Sequence, residues 1–559
     1  MNFVINIKEN IKCVIEKLFS IVPESVKGLD IVLHSEKEKT FGDLSCNAAL
    51  VLAKQLKINP VQCAQKIISA LCEEKNLKGY IEKCEIAGPG FINITLTREA
   101  WENIIKELLT KKEKCFCFDQ KDKKLNYLIE FVSANPTGPL HFGHGRNGII
   151  GDVLARVLSF MGHSVTREFY INDAGSQVIL LGESLKARCA QVLGKEGLES
   201  VIPEGGYQGD YLISIAQECV KKFGPDILKK DPEFLSIYAK DKMLEVIKED
   251  LDAYRISFDN WFSEKKLRDS GQVEKVLNIL KEKNLVYEQE GALWFKSKDF
   301  GDDKDRVVKK SNGELTYIAS DIAYHKDKYD RGYDRLIDIL GQDHHGYIKR
   351  LKATMEALGN DSNKLDVILY QLVTIKENEV VQRMSKRAGT FTKLRDVIDT
   401  VGADVTRFFY LNRKAEAFLE FDLALAQKTT DENPVYYIQY AYVRMNSILA
   451  RAKDMGIGNS PNNYESYKTL INTDEIALLR TVMMFSDILF TIQNSYQMHL
   501  LSYYTFELAQ AFHNYYTNNR VLDESNRQVT EFRLALIRAV HMTLGICLDL
   551  LGLSRPEKM

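Results

Sequence analysis

The sequence predicts a Rossmann-like α/β domain with a parallel sheet, preceded by an α+β segment and followed by an all-α helical bundle. Three observations predict this architecture. Between Tyr127 and about Leu425, short apolar strands alternate with helical-period segments, the pattern of strand–helix–strand units. Near the start of that stretch, the loop Ser133 to Leu140 leads into a helix whose stripe of Ile149, Ile150, Val153, Leu154, Val157, Leu158 and Met161 suits packing on a sheet. Beyond Asp431, long amphipathic stretches take over, at 436–452, 474–493, 503–516 and 530–551.

A chain of 559 residues is too long for one hydrophobic core, and 45% hydrophobic with 27% charged residues excludes a disordered chain. Lys+Arg 75 against Asp+Glu 77 leaves a net charge of −2, which argues against a polycation that coats nucleic acid or membrane by bulk charge. Binding through locally displayed charge stays open. Met1 to Lys12 has no long apolar core of a secretory signal, and no run of about 18 uncharged apolar residues occurs. The most apolar stretch, Leu534 to Leu553, contains Arg538, His541 and Asp549 and reads as a buried core helix. The expectation is a cytoplasmic protein with no membrane partner. Ten cysteines include no C-x-x-C pair; Cys115 and Cys117 are the only close ones, and all read as reduced thiols acting as small hydrophobes.

In order along the chain, Leu44 to Leu56 and Val61 to Leu71 have helical periodicity, the second following Pro60. Tyr80 to Ile86 and Phe91 to Thr97 read as strands joined by the turn Ala87-Gly88-Pro89-Gly90. The lysine-rich run 106–124, with Glu107, Glu113, Asp119 and Asp122 interspersed, reads as a solvated linker. Tyr127 to Val132 then opens the α/β domain, and charged helical segments from Leu180 to Lys298 read as an insertion between its halves. The expected domains are 1–115, 116–425 and 426–559.

Two constellations carry chemistry. In the first, His141-Phe142-Gly143-His144-Gly145 sits at a helix start that faces the carboxyl edge of the sheet, where free N–H groups and the helix dipole favour an anion. Gly143 to Gly148 also fits G-x-G-x-x-G, with Glu168 twenty residues on, but the dinucleotide-binding pattern needs its first glycine at the strand end, and Pro136, Gly138 and Pro139 intervene. A zinc pair would need a third ligand, and none is close in sequence. Two ring donors aimed at one point suit instead the charge that develops on a phosphate in a transition state, while Gly143 lets a flat ring approach the backbone. His141-Phe142-Gly143-His144 resembles the HIGH motif of class I aminoacyl-tRNA synthetases. The longer run from Glu130-Phe131-Val132-Ser133-Ala134-Asn135-Pro136 to Asn172-Asp173-Ala174-Gly175 is similar to that of the arginyl-tRNA synthetases.

The second constellation, Arg383-Met384-Ser385-Lys386-Arg387, follows an apolar strand read at Val367 to Thr374, near the other half of the same sheet. It resembles the KMSKS loop of the same class, with arginine in place of the first lysine. The resemblance implies a fold and a set of roles. His141, His144 and Lys386 would be catalytic. Gly143, Gly145, Arg383, Met384 and Ser385 would join them in binding ATP, with Mg2+ arriving on the nucleotide and no dedicated protein metal site. An arginine substrate needs a carboxylate for its guanidinium. Tyr317 and Asp321, at i,i+4 spacing, match the family's side-chain-binding pair, with Glu130, Asn135 and Gln342 expected nearby. The C-terminal bundle resembles an anticodon-binding domain, which makes Tyr440 and Arg444 candidates for contact with tRNA. The N-terminal segment, through Gly42-Asp43-Leu44 and Gly88-Pro89-Gly90-Phe91-Ile92-Asn93, resembles the family's additional tRNA-contacting domain. The implied activity is arginine–tRNA ligation by a monomer, with arginine activation dependent on bound tRNA.

Overall fold

A computed structural model describes residues 3–21, 28–34, 41–117, 124–377, 380–382, 393–457 and 471–559. The chain divides into two compact units, one made of 1–123, 429–495 and 500–559, the other of 124–428 and 496–499. The two end segments of the sequence therefore share a unit.

In the first unit, strands β1 (Ile31–Leu33), β2 (Leu44–Cys46), β3 (Ile81–Ala87) and β4 (Phe91–Leu96) form an antiparallel sheet in the order β1-β2-β4-β3. The helix read from Leu44 begins only at Ala48, because Leu44 to Cys46 pair with β4 and bury alternate side chains. Gly42 has φ +80° and a Cβ there would lie 2.9 Å from the Ile94 carbonyl oxygen, so glycine alone fits. Its neighbour Asp43 is buried, accepting from the Leu96 N–H at 2.7 Å and from Arg480 at 2.5 Å. The first part of the lysine-rich run is not a linker. It continues the helix Arg98–Lys111, whose buried face carries Ile104, Ile105 and, within the run, Leu108, and Cys115 and Phe116 beyond the helix are buried too. Burial pushes the Cys115 thiol up to about 12, and all ten cysteines are free. The four C-terminal amphipathic stretches are the helices Pro434–Asp454, Thr473–Ser495, His499–Asn518 and Arg527–Leu551. The last is long and apolar enough to cross a membrane, yet 78% of its most apolar window is buried within the protein, as a core helix requires.

The second unit holds a five-stranded, all-parallel sheet of β5 (Asn126–Glu130), β6 (Ser164–Ile171), β7 (Asn260–Ser263), β11 (Arg335–Gly341) and β12 (Leu365–Tyr370), in the order β12-β11-β5-β6-β7. Strand β7 lies inside the stretch read as an insertion. It is a four-residue strand between charged helices, too short to show its own periodicity. Strands β8 (Val286–Gln289), β9 (Ala292–Phe295) and β10 (Arg306–Lys309) make a separate antiparallel sheet. The single strand read at 367–374 is two. Strand β12 ends at Tyr370, and β13 (Val373–Glu377) belongs to a third sheet with β14 (Val380–Gln382) and β15 (Leu419–Asp422). The basic loop therefore follows β14 in that third sheet and not the main sheet.

The main sheet runs outward from β5 to β6 and β7, then returns through β11 beside β5 and continues outward to β12. The order reverses between β5 and β11, and crevices for ligands open at the carboxyl ends of strands at such a point. One buried row fixes this region. Asp338 pairs in register with Glu130, and Glu130 with Glu168, so three carboxylates lie side by side on β11, β5 and β6. Their counterions come from one stretch of chain, the helix Tyr317–Asp330 and the Arg331 that caps it. Lys328, fully buried, donates to Glu130 at 2.5 Å and Asp338 at 2.6 Å. Arg331 grips Glu168 at 2.6 and 2.9 Å, and Tyr324 donates to Glu168 at 2.7 Å. His325 contacts Asp338 at 2.8 Å. Burial alone would push Glu168 and Asp338 up; the Arg331 bonds instead hold Glu168 below the usual range, and Lys328 does the same for Asp338.

Replacing Lys328 with Met should lower unfolding free energy by about 3–5 kcal/mol, because it strands two buried carboxylates. Urea unfolding followed by circular dichroism measures this, and an unchanged midpoint would deny the row its structural weight.

Candidate active site

The reversal of strand order opens into a cavity of about 1180 Å³ in the second unit. Its first wall is the loop after β5. Val132 and Ser133 have φ of +64° and +40°, strained values for side chains of this kind. Asn147 holds them there: its Oδ1 accepts from the Val132 N–H at 2.6 Å, and its Nδ2 donates to the Ile339 carbonyl at 2.9 Å. Ser133 Oγ donates to Glu130 at 2.9 Å and accepts from the Tyr170 N–H at 3.0 Å.

This turn delivers His141 to the start of the helix Phe142–Phe160. The His141 and His144 rings stack, with centroids 3.5 Å apart and planes 22° apart. His144 Nδ1 accepts from the His141 backbone N–H at 3.3 Å, which leaves Nε2 as the ring's donor. The glycines that mimic a dinucleotide motif serve close packing. A Cβ on Gly143 would lie 3.0 Å from the His141 ring, one on Gly145 2.7 Å from Leu394 and Tyr410, and one on Gly148 2.8 Å from Ile256. Glu168, the acid that would have met a ribose, is buried in its ion pair. Beside the histidines, fully buried Arg146 donates to the carbonyls of Gln371, Lys414 and Ala417, each at 2.8 Å, and burial pulls its guanidinium down to about 10. It thus holds the residues next to Leu372 and Phe418, which border the cavity at 70% and 51% exposure.

The second wall is the helix Tyr317–Asp330. Tyr317 and Asp321 both border the cavity. Asp321 accepts from the Tyr347 hydroxyl, and burial pushes its carboxyl up to about 6 against the opposing pull of Tyr347 and His325. The residue is half-buried and borders the cavity, and desolvation outweighs its hydrogen bond.

Seven of the residues singled out from sequence line this one cavity: Glu130, Asn135, His141, Gly143, His144, Tyr317 and Asp321. Besides Asp321 and His144, two more of these are already engaged. Glu130 is bonded to Lys328 and Ser133, and Asn135 donates to Gln177 at 2.9 Å and accepts from Asn172 at 3.1 Å. Gln342 is exposed and outside the lining, although Gly341 and Asp343 on either side belong to it. Gly145 packs against Leu394 and Tyr410 and is not in the lining. Arg383, Met384, Ser385 and Lys386 lie outside the described residues. Their flanks are described: β14 pairs antiparallel with β13, while Lys393 bridges to His141 and the Leu394 N–H donates to the Leu140 carbonyl at 2.9 Å. The chain thus re-enters the described structure against the first histidine.

Sequence reasoning missed Asn147, Lys328, Asp338 and Tyr347. For Lys328 a signal existed, since Asp321, Tyr324, His325 and Lys328 extend the Tyr317 spacing along one helix face. In the first unit, Arg444 donates to the Tyr440 hydroxyl at 2.9 Å, and its guanidinium lies 4.7 Å from the Tyr440 ring and 5.0 Å from that of Tyr516. Tyr440 is 38% exposed, so this tyrosine is not core, whereas Tyr442 is buried.

The chain matches three family models: tRNA synthetases class I (R), catalytic domain, over residues 104–416; the DALR anticodon binding domain over 438–559; and the arginyl tRNA synthetase N terminal domain over 6–96. It is 45% identical over 534 residues to the arginine–tRNA ligase of Oleidesulfovibrio alaskensis, covering 95% of this chain and 96% of that one. It is 42% identical over 557 residues to that of Lawsonia intracellularis, covering 99% of both. In fold it is similar to the arginyl-tRNA synthetase of Thermus thermophilus, with a TM-score of 0.76 at 21% identity over 99% of this chain and 100% of that one. The catalytic-domain match spans more than half the chain and the relatives align along nearly all of it, so this chain belongs to the class I arginyl-tRNA synthetases.

Proposed function

We propose that the protein is an arginine–tRNA ligase, which activates L-arginine with ATP and transfers it to the 3′ end of its tRNA. The observation that carries this reading is the meeting, in one cavity, of a half-buried, desolvated carboxylate at Asp321 with a stacked histidine pair at a helix N-terminus. Asp321 would hold the guanidinium, with Tyr317 over it and Glu130 and Asn135 supporting the pocket. Gln342 would need to turn inward to take part.

In the first step an arginine carboxylate oxygen attacks the α-phosphorus of ATP, and the bond to the β-phosphate oxygen breaks to release pyrophosphate. His144 Nε2 and the His141 ring would donate to the phosphate oxygens as charge builds on them. Lys386, with Arg383, Met384 and Ser385, would neutralise the leaving pyrophosphate. Gly143 leaves room for the nucleotide, and Gly145 would act by letting the helix start pack closely. Leu372 and Phe418 give the adenine ring an apolar edge. Mg2+ would enter with ATP. In the second step a terminal ribose hydroxyl attacks the carbonyl carbon of the adenylate and AMP departs. Tyr440 and Arg444 supply a stacking and cationic surface for unpaired tRNA bases. The same reading has the enzyme work as a monomer in the cytoplasm.

Arginine-dependent exchange of pyrophosphate into ATP, assayed with and without tRNA, tests the assignment. Exchange with arginine alone among the amino acids, and only when tRNA is present, is expected; no exchange with any amino acid in the presence of tRNA would refute it. The raised carboxyl of Asp321 adds a pH signature. A guanidinium binds the ionised form, so arginine affinity is full above pH 7 and is lost as pH falls through about 6. The arginine Kd should then rise about tenfold per pH unit. Asp321→Asn should bind arginine weakly with no such slope; a variant that keeps the wild-type slope would move the titration elsewhere.

A further inference from the structure

Asp321 must be ionised to hold a guanidinium, and two neighbouring acids oppose that: Glu264, at the head of the helix Glu264–Asp269, and Glu130, at the end of β5. Each of these has a cation of its own. Arg268 donates to Glu264 at 2.5 Å, and Lys328 to Glu130 at 2.5 Å. Asp321 has no lysine or arginine paired with it among the described residues. The phenols around it bring no charge: Tyr317 lies on its own helix, and burial holds the Tyr170 hydroxyl of β6 far above its usual value. What favours the ionised carboxyl is first the Tyr347 hydroxyl and then His325, one turn along its own helix. Tyr347 donates to Oδ2, and Oδ1 has no hydrogen-bond partner among the described residues.

Tyr347 comes from a different element, the first turn of the helix His345–Ala357, and borders the same cavity. Its ring packs against a buried cluster of Leu128, Leu336 and Leu365, one from each of β5, β11 and β12, with Leu351 of its own helix. The Arg350 guanidinium lies 5.3 Å from the ring centre, and Arg350 Nε lies 3.7 Å from Asp302. A ring seated on the main sheet in this way fixes where its hydroxyl points, so the carboxylate has to align with it. We propose that Tyr347 is the positioning residue of the arginine site: its hydroxyl orients the Asp321 carboxylate, leaves Oδ1 for the guanidinium, and favours the ionised form. It acts through Asp321 and needs no contact with the substrate. This rests on the ligase reading, which supplies the guanidinium. Without the hydroxyl, burial, Glu264 and Glu130 are opposed by His325 alone, and Asp321 takes up its proton at a higher pH.

The test is calorimetric titration of arginine into wild-type, Tyr347→Phe and Asp321→Asn proteins between about pH 5.5 and 8.5. Wild type should lose affinity as the pH falls through about 6, and Asp321→Asn should bind weakly with no such slope. In Tyr347→Phe the loss should begin about one pH unit higher, which alone makes its Kd near pH 6 about fivefold that of wild type. The substitution removes one oxygen and keeps the ring in its leucine packing, so the ATP Kd should match wild type at each pH. A Tyr347→Phe Kd raised by one constant factor at every pH, with the midpoint unmoved, is what a merely structural role gives, and it overturns the proposal. An arginine Kd equal to wild type throughout overturns it too, as does an equal loss of affinity for ATP. A wild-type protein that binds no arginine and supports no arginine-dependent exchange with tRNA present would instead refute the ligase reading beneath it.

Discussion

Three carboxylates side by side on adjacent parallel strands cannot share a dry sheet face unless cations meet them, and this constraint organises the second unit. Asp338, Glu130 and Glu168 are answered by Lys328, His325 and Arg331, which lie in or at the end of a single helix. Ion pairs of this kind add little net stability over an apolar contact, but they penalise every arrangement that leaves a charge alone. They therefore fix the helix in rotation and in register along its axis. Asp321 lies seven residues, two turns, before Lys328, so the register that satisfies the row is the register that brings Asp321 to the cavity. The first turn of the same helix carries Tyr317 to the rim.

The loop after β5 meets the opposite demand. Its task is to leave the strand, turn sharply and begin a helix with two imidazoles at its mouth, and two residues in left-handed conformations make the turn. Asn147 from that same helix binds the first of them and also the end of β11, so the strained turn, the helix and the strand are mutually dependent. Arg146 next to it performs the corresponding task for the chain around Gln371 and Ala417. The histidine pair is thus supported by buried polar groups on its own helix, Arg146 and Asn147, which hydrogen-bond to backbone.

Features that repeat locally were legible in the sequence. The apolar stripes of the four C-terminal helices and of the helix Phe142–Phe160 declare themselves within a few turns, and the histidine motif is contiguous. Tyr317 and Asp321 were readable because one helix spaces them. Features that depend on distant pairing were not. Strand β7 has four residues and no period of its own, and the break between β12 and β13 falls inside an unbroken apolar run. The lysine-rich run looked solvated because of its lysines, yet its start belongs to a helix that Ile104 and Ile105 before it and Leu108 within it bury along one face. The acidic row was hidden for a similar reason: Glu130, Glu168 and Asp338 are single charges in separate apolar strands, and only the sheet register makes them neighbours.

The central claim is that the acidic row, and not only the residues lining the cavity, sets the proposed arginine site. Glu168 is fully buried and outside the cavity lining, so Glu168→Gln weakens the row without touching any ligand. Isothermal titration of arginine into that variant is the most direct test, with ATP titrated as the control. The account predicts an arginine Kd raised by about tenfold with the ATP Kd unchanged, an effect equivalent to about 1.4 kcal/mol. An arginine Kd equal to wild type, in a folded variant, would contradict it.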